Sequence, residues 1–135
     1  MDKYNKPLPD VTDPVMAPFW KGTKKHQLLV RRCKKCGEYQ WPPRIWCSLC
    51  HSFDFDWVKA SGKGILYTYT VVNRAFHPAF QEVPYGVAIV RLDEGVQMIG
   101  NSAGIKPEDM KIGMWMEAAF NDVTEEVTLV NWRPV

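Results

Sequence analysis

Four cysteines carry the clearest chemical signal in this sequence of 135 residues. They form two pairs, each with two residues between its members and ten residues between the pairs: Cys33, Cys36, Cys47 and Cys50. Two Cys-x-x-Cys turns aim four thiolates at one point about 2.3 Å away, which is the arrangement of a closed tetrahedral zinc site. Because protein ligands fill all four positions, the spacing predicts one structural Zn²⁺ per chain and leaves no position for a catalytic water.

Other uses of these cysteines fit less well. Two disulfides are typical of secreted chains, and the sequence does not begin with the basic and apolar segments of a secretory signal. A thioredoxin-type redox pair needs one Cys-x-x-Cys in a βαβ setting, which is not found here. Iron stays open, because tetrahedral thiolate sites hold either metal. We expect zinc binding, on the order of 10 kcal/mol, to fold this half of the chain.

The charge is unevenly distributed along the chain. Residues 1–56 carry ten Lys and Arg against six Asp and Glu, whereas residues 57–135 carry seven against nine. The acidic second half argues against nucleic acid as a partner, because an OB module that binds single strands needs a basic groove; single-strand binding is the alternative function. With 46% hydrophobic residues and no long apolar stretch, the composition predicts a cytoplasmic globular protein without a membrane span.

Short elements are predicted around the cysteines. An extended arm precedes a helix that Asp13 caps and Gly22 ends. A second short helix or strand, residues 24–30, leads into the first cysteine pair. Two prolines between Trp41 and Arg44 keep the segment between the pairs extended, so we expect both of these side chains to be exposed.

From residue 61 onward, apolar residues follow a period of two. This pattern predicts a long first strand beginning near Ile65, followed by strands at residues 86–92, 96–101, 114–120 and 127–132, with a helical turn at 106–111. Five short strands with a helical insertion between the third and fourth are the layout of an OB-fold barrel. The predicted fold is therefore mainly β, with an N-terminal arm and short helices (1–27), a rubredoxin-like four-cysteine zinc ribbon (28–56) and a five-stranded OB-fold barrel (57–135).

Several short motifs occur in order between residues 14 and 134. They are Pro18-Phe19-Trp20-Lys21-Gly22, Arg32-Cys33-Lys34-Lys35-Cys36-Gly37, Trp41-Pro42-Pro43-Arg44, Cys47-Ser48-Leu49-Cys50, and residues 61–71 and 107–113. This set resembles the zinc-ribbon OB-fold proteins that accompany thiolases, 3-hydroxy-3-methylglutaryl-CoA synthases and steroid side-chain retro-aldolases. Trp41 stands where phenylalanine is familiar in that family, and it keeps the aromatic character.

The resemblance implies a non-catalytic accessory subunit in a hetero-oligomer. Such a subunit would dock on a thiolase-fold catalytic subunit and help to bind or gate CoA or acyl-CoA during thiolytic cleavage of a 3-ketoacyl-CoA, for example benzoylsuccinyl-CoA. Alternative assignments are the partner of a retro-aldolase acting on a 3-hydroxyacyl-CoA and a free-standing acyl-CoA carrier. The residues agree with a subunit: every thiol is assigned to the metal, and His26, His51 and His77 form no catalytic motif.

Candidate CoA- or partner-binding residues are aromatic or basic side chains near the cysteines. Trp41 offers a stacking surface for adenine, while Arg44, with Lys34 or Lys35, offers cations for phosphates. Phe19 and Trp20 are candidates of a different kind, because an aromatic pair at helical spacing is more often core than binding surface. The chain has six tryptophans, and we expect part of this aromatic surface to be buried by the partner.

Overall fold

The computed structural model describes residues 5–135, in which one α-helix and eight strands are formed. The elements are α1 Ala17–Lys24, β1 Leu29–Cys33, β2 Tyr39–Gln40, β3 Phe55–Lys59, β4 Lys63–Val72, β5 Tyr85–Leu92, β6 Gln97–Asn101, β7 Trp115–Asp122 and β8 Thr128–Pro134. A 3₁₀ turn, Pro107–Asp109, lies between β6 and β7, where the helical insertion was predicted. In the described part of the chain, none of the helical segments is long and apolar enough to cross a membrane.

The first three strands form the sheet of the zinc ribbon, in the order β2-β1-β3. β1 pairs with β3 along its whole length, from Leu29 opposite Lys59 to Cys33 opposite Phe55. β3 therefore crosses the predicted boundary between residues 56 and 57, and the three-part division of the chain stays a prediction. The pairing places Cys33 at the end of β1, where the first metal-binding turn begins.

The last five strands form an antiparallel sheet in the order β6-β5-β4-β7-β8. β4 is long enough to pair with β5 on one edge and with β7 on the other, and its register with β5 shifts between Leu66 and Thr68. Such a bulge bends a strand and helps a sheet to curl. The two outer strands meet at a bridge between Ser102 and Trp132, so the barrel is nearly closed. The predicted zinc ribbon followed by an OB-fold barrel is confirmed.

The barrel encloses its own apolar core. Leu66, Val90, Met116 and Trp132 come from four different strands, and all of them are fully buried. Phe19 of α1 and Val30 of β1 join the same cluster of buried residues. The helix and the ribbon therefore pack on the barrel.

The predicted start of α1 was wrong by about one turn. The helix begins at Ala17, with Met16 at the N-cap. Pro18 explains the difference, because proline lacks the N–H that a helix starting at Pro14 would need at this position. Asp13 caps a preceding turn instead: its carboxylate accepts a hydrogen bond from Val15 N at 2.9 Å.

The predicted end of α1 at Gly22 was also wrong, because the helix continues to Lys24. Gly22 lies where the next strand approaches the helix closely. A Cβ atom at this position would lie 2.8 Å from Cγ of Leu29. The glycine is therefore a point of close packing between α1 and β1.

A polar contact joins the end of α1 to the barrel. Nε2 of His26 lies 3.0 Å from Oδ2 of Asp122 on β7, and the His26 ring stacks on Phe120 with centroids 5.2 Å apart. The Asp122 carboxylate also accepts a hydrogen bond from Thr128, and this bond lowers the pKa of Asp122, with His26 adding to the effect. The contact fixes the turn after α1 on the β7–β8 edge.

Candidate functional site

The four cysteine sulfurs form a compact cluster. All four Sγ atoms lie within 4.8 Å of one another. Sγ of Cys33 is 3.5 Å from that of Cys50, and Sγ of Cys36 is 3.6 Å from that of Cys47. A tetrahedron with ligands about 2.3 Å from a central zinc has edges of about 3.8 Å. The cluster therefore has the size and donor set of a closed four-thiolate zinc site.

The two cysteine pairs are presented by equivalent backbone turns. The N–H of Gly37 donates to the carbonyl of Cys33, and the N–H of His51 donates to the carbonyl of Cys47, both at 2.9 Å. Gly37 has φ of 78° and His51 has φ of 62°, so both residues are left-handed. Glycine adopts this conformation without steric cost. At His51 it was not predicted, although the equal spacing in the two Cys-x-x-Cys motifs pointed to it.

The sulfurs influence one another's protonation. A hydrogen bond from the backbone of Cys36 is the main cause that lowers the pKa of Cys33 to about 6, and one from Cys50 likewise lowers the pKa of Cys47. Cys36 accepts a hydrogen bond from the backbone of Glu38, but burial and the other three sulfurs raise its pKa to about 12. Four thiolates at this spacing therefore need a cation between them, which a divalent metal ion supplies.

An apolar groove of about 330 Å³ adjoins the ribbon. Phe19 and Trp20 of α1 form one wall together with Trp41 from the segment between the cysteine pairs. The other wall comes from the two outer barrel strands, through Met98 and Val130 among others. Three of the six candidate CoA- or partner-binding residues therefore meet at one place, where helix, ribbon and barrel come together.

Trp41 is less exposed than expected. Its ring packs against Phe19 with centroids 4.6 Å apart, and Phe19 in turn meets Trp20 edge to face at 4.8 Å. Phe19 is buried, whereas Trp20 and Trp41 are half-buried. The prolines do keep the segment out of regular structure, but they do not decide where the tryptophan side chain lies.

The basic candidates lie apart from the groove lining. Nζ of Lys34 is 3.5 Å from Oδ1 of Asp56, and Lys34 lines a separate polar hollow beside Cys33. Lys35 is exposed on the first cysteine turn. Arg44 is exposed as predicted, and its backbone N–H donates to Oε1 of Gln40 at 3.0 Å.

The barrel side of the groove was missed by the sequence analysis. It consists of residues from β6 and β8, which lie about thirty positions apart in the chain: Met98, Ile99, Asn101, Leu129, Val130 and Asn131. Both strands were predicted, but the groove exists only because they approach each other where the barrel closes. No one-dimensional pattern reports that approach.

The sequence matches two family models. Residues 20–56 match the model described as ChsH2, rubredoxin-like zinc ribbon domain, and residues 57–121 match ChsH2, C-terminal OB-fold domain. A solved structure described as Ltp2-ChsH2(DUF35) aldolase contains a chain 36% identical to this one, with a TM-score of 0.85. That match covers 93% of this chain and 98% of the other.

Curated relatives match most of this chain. A probable enoyl-CoA hydratase alpha subunit of Thermomonospora curvata is 40% identical over 86% of this chain, which spans only 36% of that relative's length. The benzoylsuccinyl-CoA thiolase subunit BbsA of Thauera aromatica is 28% identical over 65% of this chain and 54% of its own length. A DUF35 domain-containing scaffold protein of Methanocaldococcus jannaschii is 38% identical over 84% of this chain and 82% of its own length. The chain therefore belongs to the DUF35 family and carries the ChsH2-type zinc ribbon followed by an OB-fold barrel.

Proposed function

We propose that this chain is a non-catalytic accessory subunit of an enzyme complex that cleaves a carbon–carbon bond of an acyl-CoA. The observation that supports this most strongly is the match to the Ltp2-ChsH2(DUF35) aldolase, which covers 98% of the matched chain at 36% identity. The description of that structure names a second component, Ltp2, beside the chain that corresponds to this one. We infer a catalytic partner for this chain as well, and the family resemblance implies that this partner has a thiolase fold.

The chemistry of the described residues supports a non-catalytic role. All four cysteines lie in the metal cluster, where zinc would hold the two turns together and have no open coordination position. The hydroxyl of Thr128 donates to the carboxylate of Asp122, which also contacts Nε2 of His26. A nucleophile must reach the substrate as well as its base, and Thr128 is fully buried. We therefore assign the catalytic groups to the partner.

The groove and the exposed cations of the ribbon support a role in holding CoA. Trp20 and Trp41 offer apolar and aromatic surface to an acyl or pantetheine chain, with Phe19 as the buried support behind them. Lys35 offers positive charge to phosphates from an exposed position, and the exposed Arg44 offers it to a phosphate or to a carboxylate of the partner. Lys34 is the weaker of the basic candidates, since Asp56 already neutralises part of its charge.

Two reactions are candidates for the complex. In thiolysis, a cysteine of the partner would attack the 3-keto carbonyl, release one acyl-CoA and pass the remaining acyl group to free CoA. The relationship to the Thauera thiolase subunit supports this reaction and benzoylsuccinyl-CoA as a substrate. Retro-aldol cleavage of a 3-hydroxyacyl-CoA is supported by the match to the solved aldolase. Only thiolysis consumes free CoA, so CoA dependence separates the two.

Native mass spectrometry of a tagged copy purified from its source organism tests the proposal. We expect one zinc ion per chain and a thiolase-fold polypeptide in the same particle. Acyl-CoA cleavage should then require both polypeptides, with and without added CoA as the comparison between the two reactions. A zinc-loaded monomer without a companion would overturn the accessory role, and binding of acyl-CoA by that monomer would favour a carrier.

A further inference from the structure

Four large apolar side chains are exposed within nine consecutive residues of the zinc ribbon. Ile45, Trp46, Leu49 and Phe53 have 66%, 52%, 65% and 70% of their surface exposed, respectively. The rings of Trp46 and Phe53 meet edge to face, with centroids 6.5 Å apart. We call these four residues the ribbon patch. It belongs neither to the groove nor to the buried core.

The backbone under the ribbon patch is fixed from both sides. The Gln40 side chain accepts from the N–H of Arg44 at 3.0 Å and donates to the carbonyl of Trp46 at 3.1 Å. The N–H of Cys47 donates to the carbonyl of Ser52 at 2.8 Å, and the metal cluster anchors the turn between them. A preorganised surface loses little conformational entropy on binding, and exposed tryptophan and phenylalanine beside an arginine are typical interface anchors.

The charge at the edge of the ribbon patch indicates what kind of surface covers it. Arg44 is the one Lys, Arg, Asp or Glu between residues 41 and 53. In the described part of the chain, Arg44 forms none of the ion pairs. In a symmetric contact of this segment with a second copy, Arg44 would meet residues of the same segment, none of which is acidic. A different protein with a carboxylate at the edge of an apolar hollow is complementary.

We propose that the ribbon patch is the docking surface for the catalytic subunit, which receives Trp46 and Phe53 in an apolar hollow and pairs a carboxylate with Arg44. This inference rests on the proposed accessory function and adds the surface through which it acts. The groove beside Phe19 then stays available for the acyl-CoA, because the ribbon patch is formed by other residues. The partner surface is defined by its chemistry: apolar in the centre and acidic at one edge.

Binding measurements with matched variants test this assignment. The catalytic subunit that co-purifies with the tagged chain is isolated and titrated onto immobilised wild-type protein and variants. Trp46→Ala should weaken binding by at least about 30-fold, the loss typical of an interface anchor. Leu49→Lys, which places a charge in the patch, should weaken it by a similar factor. Arg44→Glu should also weaken binding, and its deficit should shrink as salt is raised.

Two exposed residues of the barrel domain provide the controls. Trp115→Ala and Ile112→Lys match the first two substitutions at positions that are 63% and 69% exposed. They should change the affinity by no more than about twofold, the scale of a substitution outside the contact. Zinc content is measured for every variant, so that a loss of ribbon structure is not mistaken for a loss of contact.

The possible outcomes separate the docking surface from the proposed function. Loss of binding in the zinc-loaded patch variants, with the barrel controls unchanged, supports the assignment. A catalytic subunit that binds Leu49→Lys as tightly as wild type, or that is lost only with the barrel variants, overturns the ribbon patch while the accessory role stands. If wild-type protein brings down no catalytic subunit, the proposed function fails, and this docking surface fails with it.

Discussion

Replacing Phe19 by alanine tests whether this aromatic residue of α1 is core or binding surface. Its side chain is 4% exposed and packs between the rings of Trp20 and Trp41. Removing a buried phenylalanine side chain costs about 3–5 kcal/mol, because the lost transfer free energy is joined by the cost of the cavity. For 135 residues the entropy of unfolding is about 0.28 kcal/mol/K, so Tm should fall by about 11–18 °C.

Thermal unfolding of the zinc-loaded protein, followed by tryptophan fluorescence, measures this shift. Trp115→Ala is the matched control, because Trp115 is an aromatic residue on the outside of β7. Its loss should cost about 1 kcal/mol or less, equivalent to about 4 °C. If Phe19→Ala lowers Tm no more than Trp115→Ala does, the assignment of Phe19 to the core is refuted. Phe19 is then again a candidate CoA- or partner-binding residue.

Three further predictions concern single positions. Asp122→Asn should destabilise the protein near neutral pH, because folding lowers the pKa of Asp122. The stability that the carboxylate contributes is present above the ordinary pKa of 3.8 and is lost as the pH falls through the folded-state pKa. The Tm difference between wild type and variant should therefore narrow between pH 6 and pH 3, and a constant difference would contradict this. Gly64→Ala should cost about 3 kcal/mol in urea unfolding, because its Cβ would lie 2.0 Å from the carbonyl oxygen of Arg91; an unchanged midpoint would contradict the close approach of β4 and β5. Lys35→Glu should lower the acyl-CoA affinity of the purified complex by about three- to tenfold at low salt, whereas Lys59→Glu, an equal charge change on β3, should not; equal effects would show that only net charge matters.

The metal centre could be predicted from the sequence because its determinants are local. Each Cys-x-x-Cys turn spans four residues, and Gly37 supplies the left-handed backbone that the first turn needs. The turn Asp93-Glu94-Gly95 is a local signal of the same kind, and in the structure the N–H of Gly95 donates to the carbonyl of Leu92 at 2.8 Å. Spacing and turn residues act over a few positions, which is the range that a sequence pattern records directly.

The first residue of α1 was harder to predict, because two helix-start signals lie within five residues of each other. Asp13 followed by Pro14 satisfies the usual cap pattern, yet Pro18 can stand only in the first turn of a helix. The structure uses both signals in succession, with a capped turn first and the helix after it. A proline in the fifth position of a predicted helix outweighs a good cap, because the missing hydrogen bond cannot be recovered.

The groove was not predictable, because it depends on side chains that meet across the closed barrel. Trp41 is an example: the neighbouring prolines restrict its backbone, but its ring packs against Phe19, more than twenty residues earlier in the chain. The β6–β8 wall depends in the same way on the approach of two edge strands. Aromatic composition indicated that such a surface exists, and only the tertiary structure shows which residues share it.

Metal removal should separate the chain into a part that unfolds and a part that persists. The ribbon has a small sheet whose turns are held by the sulfur cluster, and the lost binding energy is on the order of 10 kcal/mol. The barrel keeps a core of its own strands, including Leu66, Met116 and Trp132. After chelation, we expect fast hydrogen exchange in β1 and β3 and continued protection in β4, β5 and β7.

The same chelation experiment also tests binding at the groove and at the ribbon patch. Both include residues carried by the ribbon, Trp41 in the groove and Trp46 in the patch, so chelation should abolish binding of acyl-CoA and of the partner together. Added zinc should restore both, with magnesium as the control because it disfavours thiolate ligands. Simultaneous loss of protection in β4 and β5 would contradict this division. It would show that contacts such as the packing of Val30 of β1 in the same buried cluster as Leu66 and Trp132 join ribbon and barrel into one cooperative unit.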